Sequence, residues 1–200
     1  MTCRASHANI TFRAGSAALL SRLALALLCI YITLTPPTLP LSQAQSPAQN
    51  ESEEVLIAAL LKAGKEGQAI ESLLDQHGAL ITPRLWNKLT SRALSAYCTA
   101  GSEQSLLLYG IALNVAERLK DQRLVAATHY RIGRTYSGLG QTQSAIQSLL
   151  ESRKIFEAAE LRRDLIYVLG DLASLYYYAE DFKPARLHAE ESILSTGPDS

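Results

Sequence analysis

One spacing recurs along this chain and limits the folds open to it. Small or aliphatic residues stand twelve positions apart in four successive units: Ile57 and Ala69, Ala93 and Ser105, Gly133 and Ala145, Ala173 and Ala185. The last three units are offset by forty residues and the first by thirty-six. A fixed period of this size marks a stacked repeat, in which no unit buries its apolar face alone. From Glu53 onward the units are helical. Apolar residues fall three and four apart, as in Ala145, Ile146, Leu149 and Leu150, and strand alternation is nowhere sustained. Breaks at Gly64–Gly67, Gly78–Pro83, Gly101–Ser102, Gly138–Gly140 and Ala179–Asp181 predict helices of 11–18 residues.

Packing explains the spacing. Two antiparallel helices joined by a tight turn approach closely only where side chains are small. Ala69, Ala93, Gly133, Ala145, Ala173 and Ala185 are the expected contact positions, and Tyr136, Leu149, Tyr176 and Ile193 are expected to fill the space around them. The expectation is an all-α solenoid of about four antiparallel helix pairs over residues 53–196, with 197–200 a tail. Thr82 before Pro83 predicts an N-cap with proline in the first turn, and Asp181 before Pro184 predicts the same for the last helix.

The central pattern Gly133-x-x-Tyr136, Gly140 and Ala145, echoed by Ala173, Tyr176 and Ala185, resembles the tetratricopeptide repeat family over about 140 residues. His129 and Leu169 replace the family's aromatic at the start of the first helix, and its inter-repeat proline is missing. The resemblance implies a right-handed superhelix whose first helices line a concave groove, where ligands bind. By position relative to Gly133, the groove candidates are Tyr130, Arg131, Arg134 and Ser137 in the third unit. In the fourth they are Tyr167, Asp171, Ser174, Tyr177 and Tyr178, and in the second Asn87 and Tyr97. Aromatic and arginine groups in a concavity suit a protein or peptide partner. The family's clamp for a terminal carboxylate needs lysine and asparagine where this chain has Tyr130 and Arg134, so that activity is not expected.

The first fifty residues differ in kind. They hold Arg4, Arg13 and Arg22, no acid, and four of the seven prolines. Leu23–Leu34 is an apolar run behind Arg22, and twelve helical residues span only about 18 Å of a ~30 Å hydrocarbon core. Ser42-Gln43-Ala44 has the small-x-small form of a cleavage site, so residues 1–44 read as a secretory signal peptide and 45–52 as a disordered spacer. The protein is then periplasmic or extracellular; an uncleaved segment would instead anchor it to the membrane. Leu28 directly before Cys29 does not suit a lipobox. Removal of 1–44 leaves only Cys98, expected to be a small buried hydrophobe, and a lone cysteine makes no internal disulfide.

Chemistry is weakly signalled. All 19 acids lie in residues 51–200 while three of the 19 basic residues lie before them, so the repeat region is mildly acidic, unlike a nucleic-acid binder. The HExxH, CxxC, phosphate-loop and nucleophile-elbow motifs are absent, and His77, His129 and His188 fall in different units. No catalytic residue, cofactor or metal is expected, and Glu190-Glu191 reads as a solvated face. The expected function is an exported, non-enzymatic scaffold that binds a protein or peptide. The alternative is the sensory or regulatory repeat region of a longer signalling or protease-like enzyme.

Overall fold

The computed structural model describes residues 47–99 and 101–196, and these form one compact unit. The expected signal segment lies outside the described residues. The described residues are an all-α stack of helix pairs: α1 Pro47–Lys65 with α2 Ile70–Gln76, α3 Pro83–Thr99 with α4 Ser102–Arg118, α5 Gln122–Gly138 with α6 Thr142–Ala158, and α7 Arg162–Tyr178 with α8 Phe182–Ser195. A short 3-10 turn, Gly78–Leu80, links α2 to α3.

The period has a local cause. Each of α3 to α7 is 17 residues long. The helices from α4 to α8 are separated by three-residue turns, so a helix and its turn repeat every twenty residues and a pair every forty. Each of these turns puts its middle residue in the left-handed region: Lys120 at φ 54°, Gly140 at 70°, Glu160 at 55° and Glu180 at 60°. The next amide then bonds back over the helix end, Asp121 N to Ala116 O, Gln141 N to Tyr136 O, Leu161 N to Phe156 O and Asp181 N to Tyr176 O, at 2.9–3.3 Å. This is the Schellman closure, which satisfies carbonyls that the helix end leaves free. Only Gly140 uses glycine, the residue best suited to the conformation, so the turns at 119–121 and 159–161 carry no glycine signal.

Within the third pair the helices touch at Gly133. A Cβ there would lie 2.8 Å from Leu149 Cγ and 3.2 Å from the Ala145 carbonyl. Ser152 Oγ reinforces the approach by donating to Ala126 O at 2.9 Å. Ala93, Ala145 and Ala185 are buried, Ala173 and the rings of Tyr136 and Tyr176 half-buried. Tyr176 stacks on His188 with ring centroids 5.5 Å apart.

Several expectations need correction. The chain is helical from Pro47, so most of the 45–52 spacer belongs to α1. Ala69 is exposed because it stands at the N-cap of α2, ahead of the helix rather than within its packed face. Cys98 is exposed, because α3 buries the opposite stripe through Leu89, Ala93 and Ala96. Ile193 (70 % exposed) and Leu187 fill no inter-helix space, since nothing among the described residues packs outside α8. Thr82 Oγ1 accepts from Leu85 N at 3.2 Å as an N-cap, but Asp181 makes no side-chain cap. Glu191 is more than solvated: it pairs with Arg153 across α6 and α8 at 3.2 Å.

Candidate functional site

The first helices of the last three pairs, α3, α5 and α7, face a shared cleft of about 720 Å³. Their lining residues recur at the helical spacing of three, four and seven, which keeps them on one face of each helix. From α3 come Leu94 and Tyr97; from α5 come Tyr130, Arg131, Arg134 and Ser137. From α7 come Asp164, Tyr167, Asp171, Ser174 and Tyr178. Tyr109 of α4 and Leu149 and Phe156 of α6 complete the floor.

Polar contacts run across the helices and fix these groups. Trp86 of α3, buried, donates its indole N–H to Thr128 Oγ1 of α5 at 2.8 Å, and Thr128 donates to Leu124 O at 2.7 Å. The Arg131 guanidinium lies 5.6 Å from the Trp86 ring centroid, a cation–π arrangement. Arg134 lies 5.8 Å from the Tyr130 ring and its Nε is 3.7 Å from Asp171 Oδ2. Arg123 pairs with Asp164 at 3.3 Å, a second α5–α7 bridge. Both pairs are largely exposed, so they position side chains rather than contribute much stability.

Two phenols stay neutral in the cleft. Burial pushes the Tyr109 hydroxyl up, against the opposing pull of Arg131 and Arg134. Burial, then the neighbouring Asp171 carboxylate, raises Tyr130. Asp171 Oδ2 is itself shielded from solvent and accepts no hydrogen bond. Its charge partner is Arg134 Nε at 3.7 Å, beyond hydrogen-bond distance, so a ligand N–H or O–H would supply the hydrogen bond it lacks.

Of the eleven groove candidates, Tyr97, Tyr130, Arg131, Arg134, Ser137, Tyr167, Asp171, Ser174 and Tyr178 line this cleft. Asn87 and Tyr177 do not. Asn87 is exposed on α3 outside the cleft. Tyr177 is rotated about 100° from Tyr178 by the helix pitch and meets Phe182 edge-on at 5.7 Å. Leu94, Tyr109 and Asp164 line the cleft without having been expected there. Asp164 is signalled by its spacing, three before Tyr167 and seven before Asp171, whereas Tyr109 reaches the cleft from a second helix. Gly138 also has a local role: a Cβ there would collide with the Tyr97 hydroxyl, which crosses from α3.

No family model and no curated protein matches the chain. Among solved structures, it is similar to the crystal structure of BtubC (BKLC) from P. vanneervenii, with a TM-score of 0.57 and 14 % identity over 90 % of this chain and 73 % of that one. At that identity the likeness shows the fold alone. No helix among the described residues is long and apolar enough to cross a membrane.

Proposed function

We propose that the protein is an interaction module of the tetratricopeptide kind, holding an extended peptide segment of a partner protein in the concave cleft. One observation carries this reading: aromatic, arginine and carboxylate groups from three successive first helices converge on one cleft. Helices packed at 8–10 Å make three first helices span about 20 Å, the length of roughly six extended residues. Tyr97, Tyr130, Tyr167 and Tyr178 offer rigid contact area along that path, and Arg131, free of any ion pair among the described residues, offers a bidentate donor.

The test is to select binders from a displayed peptide library on residues 46–200 and titrate one selected peptide calorimetrically. Tyr130→Ala with Arg134→Ala is expected to weaken it about tenfold or more with helicity retained, the loss typical of an interface anchor. Unchanged affinity discards the groove. Export is part of the same proposal and rests on the basic, apolar and small-residue order of residues 1–44. Expression of the full chain in a bacterial host followed by N-terminal sequencing should give a mature protein starting at Gln45. An intact Met1 in the membrane fraction would instead establish the anchored form.

A further inference from the structure

We propose that the segment held in the cleft carries an acidic side chain, aspartate or glutamate, that docks on Arg131; this rests on the groove reading and names the chemistry the groove selects. Four charged side chains line the cleft, Arg131, Arg134, Asp164 and Asp171. Three of them already have opposite charges beside them. Arg134 stands 3.7 Å from Asp171, and Asp164 is met at 3.3 Å by Arg123, which lies outside the lining. With Arg123 included, three cations face two carboxylates, and the surplus charge sits on Arg131, which pairs with no carboxylate among the described residues. Arg131 is also held in place. Its half-buried guanidinium lies 5.6 Å from the centroid of the buried Trp86 ring, and that indole is fixed by its bond to Thr128 at 2.8 Å. The buried Tyr109 phenol is a second neighbour, since Arg131 acts on its hydroxyl more strongly than Arg134 does. A guanidinium fixed in this way loses little freedom when a ligand arrives, and its planar fork of paired N–H donors matches a carboxylate.

One surplus charge discriminates among anions. A carboxylate carries a single negative charge and balances Arg131 alone. A phosphoryl group carries about −1.5 to −2 at neutral pH and would require Arg134 as well, which Asp171 engages. The source of the carboxylate follows from the fold. Arg131 lies on α5, the middle one of the three first helices, so a segment laid across α3, α5 and α7 passes over it with residues on both sides. An internal side chain therefore reaches Arg131, whereas a C-terminal carboxylate would have to end the segment halfway. Basic side chains find no matching group, because both carboxylates of the lining already face arginines. Asp171 serves differently. Its charge is balanced, and its shielded Oδ2 takes a neutral N–H, such as a backbone amide that any sequence supplies. Asp171 thus adds affinity without reading the sequence, and Arg131 reads it.

The probe is a library of random peptides displayed with their C-terminal ends fused, so that no free terminal carboxylate competes. Selection on residues 46–200 should enrich aspartate or glutamate at one position, and selection on Arg131→Glu should enrich lysine or arginine there instead. One selected acidic peptide, amidated at its C-terminus, is then titrated beside a twin in which the acid is replaced by its amide. The twin should bind the wild type about tenfold more weakly. Arg131→Gln should weaken the acidic peptide by about the same factor and leave the twin unchanged, so that the two losses do not add. Arg134→Gln should alter the ratio between the peptides less than Arg131→Gln does. A third peptide with phosphoserine in place of the acid should bind no tighter than the acidic one. A library without binders overturns the groove and the acid together. Binders without an acidic preference, or a tenfold ratio that survives Arg131→Gln, overturn the acid alone and leave the groove standing. Tighter binding of the phosphoserine peptide, or equal loss of both peptides in Arg131→Gln and Arg131→Lys alike, would also overturn the assignment.

Discussion

Between α1 and α4 the inter-helix space is filled by large side chains. Leu56, Leu60, Leu85, Leu89 and Leu108 are each at most 2 % exposed, and they share one core with Ile57, Ile111 and Trp86. Between α5 and α8 the helices close at Gly133 and Ala145, around a smaller core centred on Leu149, Val168 and Leu172. The first half is a packed base. The second leans on one close backbone approach, and the open cleft lies against it. A concave binding surface needs such unevenness, because side chains that filled the cleft would leave no room for a ligand.

That contrast is open to breaking. Leu108→Ala should have the largest effect, lowering unfolding free energy by about 2–5 kcal/mol, since a fully buried leucine is lost and its neighbours are already close-packed. Gly133→Leu should cost about 1–3 kcal/mol, the usual cost of overpacking, because the new side chain would press on the buried Leu149 and on the Ala145 carbonyl. Urea denaturation of both variants checks the order. Equal melting of wild type and Gly133→Leu would show that α5 and α6 do not touch as described.

His129 sharpens the comparison, for it stands where the halves meet, near Glu117 of α4 and Glu151 of α6. Burial holds its imidazole below the ordinary value, against the raising effect of Glu151 and Glu117. The unfolded chain therefore takes up a proton that the folded chain resists. Stability should be full above about pH 6.5, fall as the pH drops through that value, and level off below the folded pKa. Thermal melts at stepped pH should show this decline in the wild type and a shallower one in His129→Gln. Identical slopes would remove His129 from the account.

Much of this architecture was readable from residue spacing. Helical phase, the forty-residue period and the close approach at Gly133 all depend on side-chain size at set intervals, which a sequence displays directly. The same phase placed most of the cleft residues, since Tyr130, Arg134 and Ser137 share a face on any α-helix. The turns at Lys120 and Glu160 were not readable in that way. Their left-handed residues have ordinary side chains, and the closure is enforced by helices on both sides rather than by local preference.

Which groups from different helices would meet was equally hidden. Trp86 with Thr128, Tyr109 beneath Arg131 and Asp171 beside Tyr130 all follow from how one pair sits on the next. Spacing along a helix is set by its own backbone geometry, so one strand of text suffices to recover it. Contact between helices is set by the joint shape of two surfaces, and that exists only once both have folded.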